Sequence, residues 1–303
     1  MRNFLERCIL KKRVFQDKIN LGKTDKSFLC ESRVPVKNEL QQEEERKRQE
    51  DLEKLRSLRP IDDEFMRCIF RDNIPLAQMV LRIVTGKNDL EITKLEIQKD
   101  MKRLVGARSV CLDAYGNDTE GKKYDLEVQR ANSGAGKHRA RYYSSSMDIE
   151  NLDAGQEFEE LPDTYAIFIT EHDIFGEGKA FYPVERVNMT TGEMFEDGEH
   201  ILYVNGTYRD DTDIGKLMHD FFCCNPEDMN FDLMKDVTRY YKESPKGVET
   251  MGNVFDEIRS EAVERASIEY IRRLMETFKL TAQQAMEALR IPAEEQSKYA
   301  AKL

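Results

Sequence analysis

The strongest constraint on the fold is the stretch from Ala107 to Gln129, ARSVCLDAYGNDTEGKKYDLEVQ, in which polar and apolar residues alternate around a polar turn. Side chains with a period of two residues point to opposite faces of a β-strand, so this stretch predicts two short antiparallel strands. The second strand divides into an apolar and a polar face: Tyr124, Leu126 and Val128 against Asp125, Glu127 and Gln129. Carboxylates are poor strand formers, so their recurrence on one face indicates a function.

The first strand adds Asp113 to the polar face. With the turn centred near Thr119, we expect Asp113 to lie opposite Asp125 and diagonally across from Glu127, at roughly 7–8 Å between backbones. Side-chain oxygens can close that distance around one ion. Mg²⁺ prefers oxygen ligands at about 2.0–2.1 Å, typically one or two carboxylates together with water and substrate phosphate. The hairpin therefore predicts a divalent-metal site.

Asp113, followed on the next strand by Glu127-Val128-Gln129, resembles the D…(D/E)-x-K metal site of the PD-(D/E)XK nuclease superfamily. The E-x-Q form more narrowly resembles the PD-(D/E)XK nuclease family transposases, or recombination-promoting nucleases. D-x13-E-x-Q alone is a weak pattern, but a whole series of segments between Asp62 and Leu289 shares the likeness. These segments are IDDEFMRCIF, YDLEVQ, HRARYYSS, LPDTYAIFITEHDIFG, HILYVNG and GKLMHDF.

The resemblance implies an α/β (α+β) fold, a restriction-endonuclease-like mixed central sheet flanked by helices, with helical N- and C-terminal extensions. It implies a Mg²⁺-dependent DNA endonuclease of a recombination-promoting or mobile-element type, with Mn²⁺ as an alternative metal. Asp113 and Glu127 would hold the metal. Asp63, on the first core helix, matches an acidic residue that completes the family's site, although Asp62 and Asp63 are equally natural helix caps.

Gln129 stands where the superfamily has a lysine, which puts the mechanism in question. An amide carries no charge, so it can orient a water molecule by hydrogen bonds but cannot activate it electrostatically. Three alternatives remain open: the metal supplies the activation, Lys137 or Arg139 supplies the missing positive charge, or the site is inactive.

A basic stretch with interleaved tyrosines follows the acidic strand. Arginine matches phosphate geometry, and tyrosine packs on sugars and bases. We therefore expect DNA to be bound by Lys137, Arg139, Arg141 and Tyr143, and the resemblance itself places an arginine and a tyrosine at Arg139 and Tyr143. The alternative is a helix whose arginines pair with the surrounding acids.

Composition limits the class of protein. A net charge of −11 over 303 residues argues against nonspecific coating of nucleic acid, although a bound metal adds local positive charge. Charged residues make up 35% and apolar residues 40%, as in soluble globular proteins. The sequence has no run of 18 apolar residues, so we expect no membrane span. The basic start lacks the features of a secretory signal, so we expect a cytoplasmic protein.

Six cysteines show neither a CxxC pair nor a disulfide framework, so we expect reduced thiols. The adjacent pair Cys223-Cys224 lies in an apolar run, which favours burial as small hydrophobic residues over a redox or metal site.

We divide the chain into a flexible arm and charged helix at 1–58, a nuclease-like core at 59–245 and a helical extension at 246–303. Within the core, TYAIFITEHDIF predicts a central buried strand, and Pro183 confines its own segment to a sheet edge. Leu95-Glu96-Ile97-Gln98 mimics the E-x-Q signal, but no aspartate precedes it at hairpin distance. We interpret that segment as structural.

The C-terminal region carries a drifting apolar stripe, which predicts either a packed extension or a helix that joins a homodimer. The last two predicted helices have the rhythm of a helix-turn-helix, but few base-reading side chains, which favours a plain helical cap. Two alternatives to the endonuclease remain. One is a catalytically inactive nuclease-fold protein that acts in DNA binding or protein interaction, and the other is a scaffold whose carboxylates pair with the Arg139 region.

Overall fold

The computed structural model of the protein describes residues 33–101, 110–130 and 132–303. Most of the predicted arm and the first three residues of the Ala107–Gln129 stretch lie outside these ranges. The chain divides into two units between Glu50 and Asp51. Helix α1 (Arg33–Ser57) crosses that division, and residues 41–50 are exposed throughout, as expected of a solvated charged helix.

From Asp51 onward the described chain is a mixture of helices and strands. The remaining helices are α2 (Asp63–Ile69), α3 (Ile74–Thr85), α4 (Lys137–Asn151), α5 (Asp213–Phe222), α6 (Asp232–Glu243), α7 (Pro245–Phe278), α8 (Ala282–Ala288) and α9 (Ala293–Ala300). The strands are β1 (Ile92–Asp100), β2 (Cys111–Asp118), β3 (Lys123–Gln129), β4 (Thr164–Thr170), β5 (Phe181–Val184) and β6 (Glu199–Asn205).

The strands form one mixed sheet with the order β1-β2-β3-β4-β6-β5. The neighbours β3/β4 and β4/β6 are parallel, and the other pairs are antiparallel. The six-stranded mixed sheet flanked by helices confirms the predicted fold class and is consistent with a restriction-endonuclease-like fold. The predicted positions of single strands are also confirmed: β4 lies inside the sheet, and β5, which contains Pro183, lies at its edge.

The two faces of the sheet pack against different helices. The larger core joins Tyr124, Leu126 and Val128 of β3 to helices α2, α3, α5, α6 and α7. The smaller core joins Phe168 of β4 and Tyr203 of β6 to α4. The sheet is therefore buried on both sides at its centre, so β3 is apolar on one face while its acidic residues lie under α4.

Local sequence signals account for the ends of α3. The Asn73 side chain accepts a hydrogen bond from the Leu76 N–H, Pro75 lies in the first turn, and Gly86 ends the helix with a left-handed backbone at φ +71°.

The prediction for the adjacent cysteines is wrong in part. Cys223 is only partly buried and Cys224 is exposed, because α5 ends at Phe222 and the chain leaves the core there. Cys68, Cys111, Cys223 and Cys224 are all free thiols, as predicted, whereas Cys8 and Cys30 lie outside the described residues.

The C-terminal helices form a third, small core. It contains Ile271 of α7, Ala285 and Met286 of α8, and Tyr299 of α9. The boundaries at 58 and 245 and a homodimer through α7 stay predictions. None of the helices in the described ranges is both long and apolar enough to span a membrane.

Lys242 gives a test of how α6 is fixed to the rest of the core. Its Nζ donates hydrogen bonds to the backbone carbonyls of Arg56, Leu58 and Cys224, with 2.6 Å to Leu58, and burial lowers its pKa. Lys242→Met leaves these carbonyls without the donor, which costs about 1–3 kcal/mol. We expect Tm to fall by roughly 2–4 °C per kcal/mol in a thermal melt, whereas Lys246→Met, at an exposed site, should change it little.

Candidate active site

The β2–β3 hairpin brings Asp113 and Glu127 side by side. Tyr115 pairs with Asp125 and Ala114 with Leu126, so the same register continued by one residue places Asp113 directly opposite Glu127. The predicted turn centre near Thr119, and with it the pairing of Asp113 with Asp125, is therefore wrong.

The correction has a local cause in the turn. The Asp118 carboxylate accepts hydrogen bonds from the N–H groups of Glu120 and Lys122, both at 2.9 Å, and Gly121 adopts φ +86°. These contacts centre the turn one residue later than predicted. The two carboxylates come closer together than the sequence suggested.

The acidic residues share one face of the sheet. Asp125 and Glu127 lie beside Ala166 and Phe168 of β4, which belong to the core under α4. Asp113 has the same parity as Tyr115 in that core. The polar face predicted for β3 is confirmed, but it is covered by a helix instead of facing water.

Backbone and amide N–H groups hold the two carboxylates next to each other. The Asp113 N–H donates to Glu127 Oε1 at 2.8 Å, and the Val128 N–H donates to Asp113 Oδ2 at 3.2 Å. Gln98 Nε2 donates to Asp113 Oδ1 at 3.2 Å, and Gln129 Nε2 donates to Glu127 Oε2 at 3.0 Å. A carboxylate oxygen has two lone pairs, so each of these oxygens keeps one that is able to bind a cation.

The side chain of Gln98, a residue interpreted from the sequence as structural, contacts the candidate site through its hydrogen bond to Asp113. It lies in the edge strand β1 with φ +55°, a backbone conformation that costs energy in a residue other than glycine. Glu96, the other half of the mimicking motif, forms ion pairs with Lys94 and Lys99 and is structural as predicted. Gln98 lies beside Asp113 in the β1–β2 pair, and the sequence did not predict that pairing.

Asp125 is a second group that the sequence did not identify as part of the site. Its side chain is 0% exposed, and neither oxygen accepts a hydrogen bond from a donor in the described residues. Burial raises its pKa well above the ordinary value, and the nearby Glu127 and Asp113 carboxylates raise it further. Burial of Asp125 without a donor therefore disfavours its ionised form.

Burial also raises the pKa values of the Asp113 and Glu127 carboxylates. Burial raises the pKa of Asp113 to about 6, against the opposing effect of the Val128 N–H. Burial and the Asp113 charge raise the pKa of Glu127 to about 8. Arg139 lowers the pKa of both but does not cancel these effects. The pair is therefore short of positive charge, a shortage that a bound cation would relieve.

Arg139 and Tyr143 lie one helical turn apart on α4, above the acidic face. The guanidinium of Arg139 lies 4.7 Å from the centre of the Tyr143 ring, and its closest nitrogen is 3.6 Å from Glu127 Oε2. That distance is an ion pair but is too long for a hydrogen bond. Lys137 and Arg141 are exposed on the same helix, and Lys137 Nζ lies 5.3 Å from the centre of the Phe175 ring.

Asp63 is the first residue of α2 and pairs with Arg67 at 3.0 Å. Its charge contributes to the raised pKa of Asp113, so it lies near that carboxylate. The interpretation of Asp62 as a side-chain cap is wrong. The Asp62 carboxylate instead accepts the Arg59 N–H at 2.7 Å and contacts the Arg130 guanidinium at 3.2 Å. This ties the start of α2 to the residue after β3.

The donor set fits a hard divalent cation that keeps part of its water shell. Within the described ranges, no group of three or more His, Cys, Asp and Glu side chains converges as a complete metal cage. Mg²⁺ usually binds through one or two carboxylates together with water and substrate oxygens. Asp113 and Glu127 supply those two carboxylates, and the buried Asp125 lies beside Glu127 on the same face of β3.

The mixed sheet carries paired carboxylates on the β2–β3 hairpin, next to the basic helix α4. Residues 73–207 match the family model described as PD-(D/E)XK nuclease family transposase, which suggests a function of the nuclease type. Nucleases of this type typically depend on a divalent metal. Searches of curated proteins and of solved structures returned no match.

The matched segment contains most of the predicted site. Asp63 lies before its start, and the later segments GKLMHDF and the helical tail lie beyond its end. The predicted residues inside it are Asp113, Glu127, Gln129, Lys137, Arg139, Arg141 and Tyr143.

Gly134 tests whether Gln129 positions Glu127. A Cβ at Gly134 would lie 2.0 Å from Gln129 Oε1, so Gly134→Ala must displace the amide that donates to Glu127. We expect a loss of about 1 kcal/mol in unfolding free energy, measured by urea titration. Gly252→Ala, with open space around the added carbon, is the matched control and should be neutral or stabilising. If Gly134→Ala costs the same in a Gln129→Ala background, the proposed contact is not the cause.

Thermal melts against pH test the charge state of Glu127. Its pKa is raised from 4.5 to about 8, so the folded protein binds this proton more tightly than the unfolded chain does. Stability is therefore lost as pH rises between these values. In EDTA, we expect Glu127→Gln to melt several degrees above the wild type at pH 8 to 9, with little difference near pH 5.

Glu96→Gln provides a control of opposite sign. Hydrogen bonds and ion pairs with Lys99 and Lys94 lower the pKa of Glu96, so its contribution to stability is present at neutral pH and is lost in acid. This substitution should lower Tm slightly at pH 7. If Glu127→Gln also lowered Tm at pH 8 to 9, Glu127 would be an ionised, fully paired structural group.

Proposed function

We propose that this protein is a Mg²⁺-dependent DNA endonuclease that hydrolyses phosphodiester bonds, of a recombination-promoting or mobile-element type. The observation that supports this most is the placement of the Asp113 and Glu127 carboxylates side by side. The Asp113 N–H donates to Glu127 and the Val128 N–H donates to Asp113, and each carboxylate oxygen keeps a lone pair for a cation. Mn²⁺ is the expected alternative, because it also prefers carboxylate and water oxygens.

In this proposal some residues bind the metal and others orient the residues that bind it. Asp113 and Glu127 hold the metal, which when bound supplies Lewis-acid activation of the scissile phosphate and of the attacking water. Asp63 adds negative charge from α2 near the Asp113 carboxylate. Gln98 and Gln129 fix the orientation of the two carboxylates through their amide N–H groups.

The position of Gln129 bears on its role in place of lysine. Its amide nitrogen is engaged by Glu127, and its oxygen faces Gly134. Gln129 therefore acts as a positioning residue rather than a source of charge. Of the two basic residues considered for that charge, Arg139 is the better candidate, because it lies 3.6 Å from Glu127 while Lys137 lies over Phe175.

DNA is the proposed substrate, bound along α4. The Arg139 guanidinium pairs with Glu127 and lies over the Tyr143 ring. From this position it can rotate toward a phosphate. Exposed Lys137 and Arg141 extend the positive charge along the helix. These are the side chains that carry phosphate contacts in a protein whose overall charge is negative.

A plasmid assay tests the proposed hydrolysis. Supercoiled plasmid is incubated with wild type, Asp113→Asn or Glu127→Gln in Mg²⁺, Mn²⁺ or EDTA. We expect metal-dependent nicking by the wild type and a loss of at least about 100-fold in each variant, since a metal site supplies several kcal/mol. Glu96→Gln, the same chemical change in the mimicking motif, should nick like the wild type. Nicking that survives Asp113→Asn or Glu127→Gln would remove these residues from the mechanism.

Arg139 is tested through the salt dependence of DNA binding. Arg139→Gln removes one phosphate-neutralising charge, so we expect weaker binding and a slope of log K against log salt that is smaller by about 1. Fluorescence anisotropy with labelled duplex in EDTA measures this. Arg239→Gln is the control, because Arg239 pairs with Glu227 and Asp236 on α6. An unchanged slope in Arg139→Gln would limit Arg139 to a structural pairing with Glu127.

DNA binding without hydrolysis is the second candidate function. The Arg139–Glu127 ion pair and the replacement of lysine by Gln129 favour it. In that case the anisotropy titration would show binding, and the plasmid assay would show no metal-dependent nicking.

A further inference from the structure

An ordered apolar hairpin stands on the protein surface and has no role in the site above. We define it as residues 181–195, which run from β5 through a turn to an isolated bridge between Val187 and Met194. Met189 is 92% exposed and Phe195 is 62% exposed. Six exposed large apolar side chains of the described chain fall in this segment: Phe181, Val184, Val187, Met189, Met194 and Phe195.

Backbone hydrogen bonds, not packing of these side chains, hold the hairpin in shape. The Asn188 N–H donates to the Glu193 carbonyl at 2.9 Å, and the Phe195 N–H donates to the Arg186 carbonyl at 3.0 Å. Gly192 supplies the left-handed turn position at φ +77°. The fold therefore fixes several apolar side chains in water, an arrangement that marks interaction surfaces, which are enriched in methionine and aromatic residues.

The hairpin is surrounded by acidic residues. Arg186 is the one basic residue between positions 184 and 199, and it pairs with Asp197 and Glu199. Glu193 and Glu196 remain exposed beside the apolar side chains. This charge disfavours nucleic acid and anionic lipid as the occupant, because both would be repelled. It also disfavours a symmetric contact with a second copy, which would bring the two acidic rims together.

The edge of the sheet is not the binding element. Pro183 in β5 has no N–H to donate, and β5 is only four residues long, so addition of a further strand is disfavoured. What remains is the apolar surface with its acidic rim. A complementary surface presents apolar side chains flanked by lysine or arginine.

The turn of the hairpin, from residue 185 onward, lies at the end of the sheet away from Gln129, whereas Phe181 pairs with Val204 nearer the other end. Glu199 begins β6 beside Thr164, the first residue of β4, and Gln129 lies beside Thr170 at the other end. Seven strand residues span roughly 20 Å. A partner on the turn of the hairpin therefore binds at a distance from Asp113 and Glu127.

We propose that the apolar hairpin of residues 181–195 binds a protein partner whose contact segment carries lysine or arginine around apolar side chains. This surface acts as a second binding site of the chain. It stands independently of the nuclease proposal, because it uses none of the residues of that site.

Labelled synthetic peptides test the proposal on the full chain by fluorescence anisotropy at physiological salt. The probe is an eleven-residue peptide that alternates Lys and Leu. One control peptide has Glu in place of every Lys, and the other has Ser in place of every Leu. We expect the Lys-Leu peptide to bind at least tenfold more tightly than either control. Equal binding of the Lys-Ser peptide would overturn the proposal, because charge alone would then account for binding.

Substitutions then locate the binding site. The double variant Met194→Ser with Phe195→Ser should lose at least tenfold in affinity for the Lys-Leu peptide, while its Tm stays that of the wild type because both side chains are exposed. Phe278→Ser, which removes an equally exposed phenylalanine at the end of α7, should bind as the wild type does. Unchanged affinity in the double variant, or self-association that the double variant abolishes in sedimentation velocity, would overturn the proposed occupant.

Discussion

Burial of neighbouring carboxylates under α4 is the main physical constraint at the centre of this fold. Asp125 and Glu127 are both 0% exposed, and Asp113 is bonded to Glu127 through its own backbone N–H. Ionised carboxylates at such positions cost several kcal/mol unless they are paired. The surrounding amides and one guanidinium at 3.6 Å offset only part of that cost, because the pKa values of Asp113 and Glu127 stay raised.

The rest of the sheet keeps the buried carboxylates short of positive charge. The parallel neighbour β4 seals one side of β3 with an apolar strand, and the larger core holds the opposite face of β3 in place. Gln98 and Gln129 bond the carboxylates without adding charge. The acidic groups thus have a fixed geometry and an unmet need for positive charge, the combination that a preorganised metal site requires. At another edge of the sheet the fold holds the apolar side chains of residues 181–195 in water.

The sequence predicted those features that depend on local pattern. The period of two in β3 assigned Glu127 to a polar face, the doubly apolar run placed β4 inside the sheet, and Pro183 placed β5 at its edge. The features that it missed depend on contacts distant in sequence or on turn geometry. Asp118 and Gly121 shift the turn by one residue. Gln98 of β1 donates a hydrogen bond to Asp113 of the neighbouring strand β2. The burial of Asp125 follows from α4 lying over the strand, which alternation alone cannot reveal.

The most direct test of the account is a crystal structure of the full chain soaked in Mn²⁺, with anomalous diffraction recorded at the manganese edge. The account predicts one anomalous peak within about 2.0–2.6 Å of an oxygen of Asp113 and an oxygen of Glu127, and no such peak in Glu127→Gln. The Arg139 guanidinium should lie farther from Glu127 than the 3.6 Å seen without metal. A well-ordered site without manganese, with Arg139 hydrogen-bonded to Glu127, would contradict the account and make these carboxylates part of a scaffold.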